Sequence, residues 1–241
     1  MNKVQKHRLR MTVASGAIGA VIAALMSVAP ASAASATTGV DAAEETKVLT
    51  ELRQNLVRYG SSSDIAAFDA LDTAQRDELA SYFLDPEVEQ RIVDAAGTPR
   101  GGSTVSGTET GFQWGWSGSP DQTEQDGRAS SRTTWGTQWF AFAGIKLTET
   151  KVSETYEYSG TTARRMLGYS CTVVRNVQPF TQVSTSKNSG YISGGQATAT
   201  CKVVVNRGVP TPWGTIAWST YSAVQRLSAR GNGAVTFNGW Q

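Results

Sequence analysis

The chain has 241 residues, 39% of them hydrophobic and 17% charged, with a formal net charge of +2. It holds one histidine, His7, and two cysteines, Cys171 and Cys201. That supply excludes a Ser-His-Asp or Cys-His nucleophile system and a histidine-ligated zinc from everything that follows the first few residues.

Lys3, Lys6, Arg8 and Arg10 precede an apolar run, Met11–Ala29, and the small residues Ala31, Ser32 and Ala33 follow it. A basic n-region, an apolar h-region and a small-residue cleavage site are the layout of a secretory signal peptide over 1–33. A retained membrane anchor is the competing reading, because the run reaches the length of a short span. Its Ala and Gly content and the cleavage motif favour removal, and no second apolar run of that length follows. Removal after Ala33 also takes away His7 and leaves 18 basic against 20 acidic residues, a formal charge of −2. That balance points away from nucleic acid as a partner. Two cysteines in an exported chain are expected to form a disulfide.

The remaining chain changes character near residue 100. Residues 34–97 form an acidic segment: from 34 to 99 there are 13 acidic and 5 basic residues and no Trp. Val48, Leu49, Leu52, Leu56 and Val57 recur at helical spacing, and Gly60 ends the run. Ser63 is placed to cap a short helix carrying Ala67, Phe68 and Leu71. Asp72 and Gln75 read as a capping box ahead of Leu79, Tyr82 and Phe83. Asp85, Pro86 and Glu87 open a last helix, with Pro at its first position. The acidic side chains are read first as a solvated outer face and second as a docking surface.

A Gly- and Pro-containing linker is expected over 98–107. Residues 108–241 then alternate at the strand period. Phe112, Trp114 and Trp116 take every second position; Ser117–Ser131 reads as a polar loop; Trp139–Leu147 reads as one apolar strand, bulged at Gly144. Val152, Tyr156 and Tyr158 fit another strand. Leu167, Tyr169, Cys171 and Val173 share one face, as do Ala197, Ala199, Cys201, Val203 and Val205. Ser184–Gly190 reads as a turn, and a hairpin folded there would set Cys171 opposite Cys201. Residues 215–227 and 235–240 supply the last strands. The fold class is therefore α+β: a small N-terminal helical segment followed by an antiparallel all-β sandwich or barrel-like domain of seven or eight strands. Opposite net charges, −8 over 34–99 and +6 over 100–241, would let two separate packing units dock, with the helical one a candidate for a removable pro-segment.

No Walker loop, Gly-x-Gly-x-x-Gly stretch or Gly-x-Ser-x-Gly elbow occurs, and no cofactor or metal is expected. Glu149, Glu154 and Glu157 could in principle serve glycoside hydrolysis. Along one strand, however, positions 149 and 157 would stand roughly 26 Å apart, and exposed strand charges are the simpler reading. Asp121, Glu124 and Asp126 miss the calcium-loop spacing. All seven Trp follow residue 100. Trp135, Trp139 and Trp218 border apolar stretches and read as core. Trp114, Trp116, Trp213 and Trp240 lie near loops, glycines or the chain end and are the candidate ligand-binding residues, for a carbohydrate, cell-envelope or protein target. Filling the ends of a sandwich is the plain alternative for them.

Three functions compete for this bacterial-type exported chain. A non-enzymatic binding module ranks first. A membrane-active toxin or bacteriocin-like protein ranks second, because Ser/Thr-rich strands could enter a bilayer. A carboxylate glycosidase ranks third. Secretion is expected to yield a chain whose N-terminal sequencing begins at Ala34; a mature product retaining residues 11–29 would overturn the exported, extracellular reading.

Overall fold

A computed structural model of the protein describes residues 42–96, 105–106, 111–126, 129–211 and 214–241. The expected leader and most of the expected linker lie outside the described residues, as does Trp213.

Four helices come first. In α1 (Ala42–Tyr59), Val48, Leu52 and Leu56 fall on one stripe and are buried, Glu44 and Glu45 occupy the first turn, and Arg58 occupies the last. The acids and the base complement the helix dipole. Ser61 caps α2 (Ser62–Asp69), and Ser61 and Asp64 form a capping box. The cap is therefore Ser61, not Ser63: the acid three residues on must reach back to the cap N–H, and Asp64 stands at that spacing from Ser61. Asp72 and Gln75 close the expected capping box of α3 (Thr73–Leu84). Pro86 opens α4 (Pro86–Ala96), and the Asp85 carboxylate accepts the Glu87 N–H at 2.8 Å.

The rest is an antiparallel β-sandwich. The first sheet has the order β1 (Val105–Ser106), β2 (Phe112–Asp126), β3 (Ala129–Phe142), β4 (Ile145–Ser159), β5 (Thr162–Asn176). The second has the order β6 (Thr181–Ser193), β7 (Gln196–Thr211), β8 (Gly214–Arg230), β9 (Val235–Trp240). Each sheet is a meander, and the chain passes from one sheet to the other at residues 177–180.

Three expected elements are drawn differently. Trp139–Leu147 is not one strand. β3 and β4 meet at Ala143 and Gly144, with φ of 45° and 85°. Positive φ at both central residues is the two-residue turn whose twist suits a hairpin. Of the expected polar loop, residues 117–126 belong to β2 and 129–131 to β3, pairing from Ser117↔Thr137 to Asp126↔Ala129. Ser184–Gly190 lies inside β6, where the pairing with β7 is irregular between Lys187 and Ser189. The chain therefore does not fold back near 186, and the two cysteines do not face each other across one hairpin. Cys171 on β5 and Cys201 on β7 instead form a disulfide between the sheets, with Cα atoms 5.8 Å apart. Closing a loop of 30 residues contributes about 3–4 kcal/mol on the chain-entropy account.

The main apolar core lies where the helices meet the strands. Val48, Leu52, Leu56, Phe68, Leu79, Tyr82 and Phe83 pack in one cluster with Phe112, Trp114, Phe142, Ile145, Leu147 and Val177. The rings of Tyr82, Phe112 and Phe142 meet at centroid distances of 4.5 and 4.7 Å. Helices and strands thus share one core instead of packing as two units. Polar contacts seal the junction. Asp64 accepts the Lys146 N–H at 3.1 Å and the Arg175 guanidinium at 2.5 Å. Arg207, buried on β7, donates to the Tyr82 carbonyl at 3.0 Å and to Gln178 Oε1 at 2.6 Å.

Between the sheets the packing is different. Two small clusters, Val152, Ala199, Cys201 and Leu227, then Tyr156, Ala163, Ala197 and Ala229, supply the apolar contacts. Buried amides and hydroxyls supply the rest: Gln138 Nε2 donates to Asn238 Oδ1 at 3.0 Å, and Thr150 Oγ1 to Gln225 Oε1 at 2.8 Å. These bonds place β9 and β8 over β3 and β4. Among the described residues, no helix is long and apolar enough to cross a membrane.

A shared core should unfold as one. Leu52→Ala, at a fully buried position, is expected to cost the whole molecule about 2–5 kcal/mol. Far-UV helix signal and near-UV Trp signal should melt at a common midpoint; two separate transitions would refute the shared core.

Candidate functional site

The tryptophans divide by strand parity. Trp114 is only 7% exposed and packs in the main core with Phe112. Trp116, also of inward parity, pairs with Gln138, and Trp240 pairs with Gln225; both indoles are partly exposed. Trp114 therefore presents no surface to a ligand in this arrangement, while Trp116 and Trp240 do. The side chain of Trp218 lies outside the described residues.

Trp135 and Trp139, read from sequence as core, are not fully buried. On β3, Thr134 and Gln138 face the second sheet, where they bond Glu154 and Asn238 respectively. Alternation then turns positions 135, 137 and 139 to the outer face of the first sheet. The register lays three rows across that face. Gly115, Trp139, Glu149 and Arg175 form one; Ser117, Thr137, Lys151 and Thr172 form the next; Trp135, Ser153 and Ser170 form the third. The Trp139 ring covers Gly115, where a Cβ would stand 2.5, 2.9 and 3.1 Å from Cζ2, Cε2 and Cη2. The Lys151 Nζ lies 4.7 Å from the centre of the Trp135 ring, in cation–π contact. Thr137, between the two indoles, is 5% exposed and bonds Ser117 Oγ at 2.7 Å.

The sequence could have revealed this face. Phe140 and Phe142 share parity with Gln138 and point to the core, so Trp135 and Trp139 have the opposite parity. What hid it was the unrecognised turn at Ala143–Gly144, which made residues 139–147 read as one apolar run.

The three β4 carboxylates do not converge. Glu149 pairs with Lys146 at 3.0 Å, and Glu157 pairs with the exposed guanidinium of Arg165. The Arg165 hydrogen bond holds Glu157 below the usual carboxylate range. Glu154 corrects the expectation of an exposed strand charge: it is 0% exposed, because it shares parity with inward Val152 and Tyr156. Thr134 Oγ1 donates to its Oε1 at 3.1 Å, and among the described residues its Oε2 has no partner. Burial pushes its pKa up to about 8 against the lowering effect of Thr134, so the group is neutral at pH 7. Burial first, with Glu154 contributing, lifts Tyr156 to about 12.

The backbone of Glu124 and Asp126 pairs with β3, so the acidic loop is part of a hairpin. Among the described residues, no group of three His, Cys, Asp or Glu side chains could hold a metal ion. A shallow pocket of about 320 Å³ on α1, lined by Thr50, Arg53, Gln54, Val57 and Arg58, contains no aromatic side chain.

No family model matches the chain, and neither a curated protein nor a solved structure shows significant similarity to it.

The Glu154 carboxyl sets a pH dependence whose sign is fixed. Its folded pKa lies above the ordinary value, so its contribution to stability is fully present below about pH 4.5 and is lost as pH rises towards about 8. Over that window the loss is on the order of 5 kcal/mol. Chemical denaturation from pH 4.5 to 8.5 should show this decline, and Glu154→Gln should flatten it; an unchanged profile would refute the assignment.

Proposed function

We propose that the chain is an exported, extracellular, non-enzymatic binding protein that engages a polysaccharide, cell-envelope or protein target through partly exposed tryptophans of its sandwich. One observation carries this reading. The protein has an ample apolar core at its helical end, yet keeps Trp116, Trp135, Trp139 and Trp240 partly exposed on rigid strands. Large aromatic side chains left at a surface are the side chains most often used as binding anchors. The leader at 1–33 and the disulfide support export of a bacterial-type protein to an oxidising compartment.

A second reading, a membrane-active toxin or bacteriocin-like protein, is favoured by strand length. The eight longer strands except β9 have 13–17 residues, where about 9–11 suffice to cross a bilayer. β6 is polar along most of its exposed length, at Gln182, Ser184, Ser186, Lys187, Asn188 and Ser193.

The mature protein incubated with purified cell walls and with lipid vesicles distinguishes the two. Binding to the walls, with a change in Trp fluorescence and no release of dye from vesicles, is the expected result. Dye release without wall binding would replace the first reading by the second.

A further inference from the structure

We propose that the outer face of the first sheet is a platform for a linear polysaccharide, with Trp139 as its stacking surface, Trp135 as a second aromatic contact and Lys151, held against the Trp135 ring, as a hydrogen-bond donor. The proposal rests on the binding reading and gives it a ligand class and a place.

The orientation of Trp139 follows from three distances. A Cβ built on Gly115 would stand 2.5 Å from Cζ2 and 2.9 and 3.1 Å from the ring atoms Cε2 and Cη2 bonded to it. An approach to the ring edge would leave both neighbouring atoms much farther than Cζ2. Near-equal short distances mean that the Gly115 position points at the ring face. The indole therefore lies flat over β2, with one face on the glycine and the other turned outwards. Only a residue without a side chain permits this, because any Cβ would collide with the ring.

Trp135 lies four residues away on the same face, so the two indoles are about 13 Å apart along β3. Pyranose rings present patches of C–H bonds that pack on an aromatic face, while their hydroxyls point sideways. The row between the indoles matches that demand. Ser117, Thr137, Lys151 and Thr172 stand in register there, and Ser153 and Ser170 flank Trp135. Ser117, Ser170 and Thr172 are exposed, and Lys151 and Ser153 are partly so. The spacing suits a linked chain of sugars more than a single one.

Other partners fit less well. A lipid surface would bury the hydroxyl row and the Lys146–Glu149 and Arg165–Glu157 pairs against hydrocarbon. A protein interface has a charge-depleted centre, whereas Lys151 stands at the centre here. A single-stranded nucleic acid needs a positively charged groove, and this face also carries the carboxylates of Glu149 and Glu157.

The test is retention of the mature protein on microcrystalline cellulose, chitin, insoluble β-1,3-glucan and purified bacterial cell walls. The wild type is expected to bind at least one polymer, and a soluble oligosaccharide of that polymer should compete where its monosaccharide does not. Trp135→Ala and Trp139→Ala should each weaken retention at least about tenfold with unchanged Tm. Lys151→Ala, at a partly exposed position, should weaken it too and carries the test if a Trp variant fails to fold. Gly115→Ala should displace the Trp139 ring and reduce binding with every tryptophan still present. Wild-type retention in the Trp135, Trp139 and Lys151 variants would overturn the platform, and a loss instead in Trp116→Ala or Trp240→Ala would keep the binding reading on other residues. Failure of the wild type to bind any polymer or wall would remove the polysaccharide and the wall from the broader reading as well.

Discussion

The Asp64 carboxylate holds the helical segment and the sandwich in one arrangement. Within α2 it closes the capping box with Ser61; across the junction it accepts the Lys146 N–H at the start of β4 and the Arg175 guanidinium near the end of β5. Burial alone would raise its pKa, but the bonds from Ser61, Lys146 and Arg175 outweigh that and hold it below the ordinary carboxylate range. The charge is therefore kept at the place where it is used. Removing one partner of a buried pair of this kind commonly costs about 3–5 kcal/mol, because the other charge stays buried without compensation. Arg207 performs the corresponding task from β7, with its guanidinium 4.0 Å from the centre of the Tyr82 ring. The helices are thus more than a tethered appendage: they complete the apolar core that the strands leave open at that end.

The middle of the sandwich depends on different forces. Apart from Tyr156 and Leu227, the apolar contacts there come from alanines, a cystine and Val152, and the sheets are joined as well by amide and hydroxyl bonds and by the covalent link. Polar groups in such a place hold the sheets in one register, since a shift would leave Gln138, Gln225 and Asn238 unpaired. Glu154 is the exception to full pairing, and neutrality is how the interior accommodates it.

Much of the fold was legible from local chemistry. The stripe Val48, Leu52, Leu56 and the box Asp72–Gln75 foretold helices, because capping and periodicity act within a few residues. Parity foretold that Cys171 and Cys201 point inwards, but not that they sit on different sheets. Ser184–Gly190 misled because its turn-favouring Ser, Asn and Gly sit within an edge strand, where the ladder with β7 overrides local preference. The shared core was hidden for another reason: charge contrast between segments says nothing about the apolar faces that bring Tyr82 against Phe112. At the surface, loop proximity proved a poor guide to exposure. Trp114 lies beside glycines yet inside, whereas Trp139 lies in an apolar run yet on the outer face. The inward position of Glu154 was available from Val152 and Tyr156 on either side, and was passed over because a carboxylate is an improbable core residue.

The meander order of both sheets bears on how the chain reaches this state. Every described strand pairs only with strands adjacent to it in sequence, so each sheet can grow by successive closure of short hairpins. Loop-closure entropy is small for such steps. The long-range events are the laying of one completed meander on the other about the crossover at 177–180 and the docking of the helices on their shared core. Compared with a sandwich of interleaved Greek keys, this wiring lowers the mean sequence separation of contacts and with it the expected folding barrier. The search for the native state then reduces largely to the docking of two preformed meanders and of the helices that complete their core.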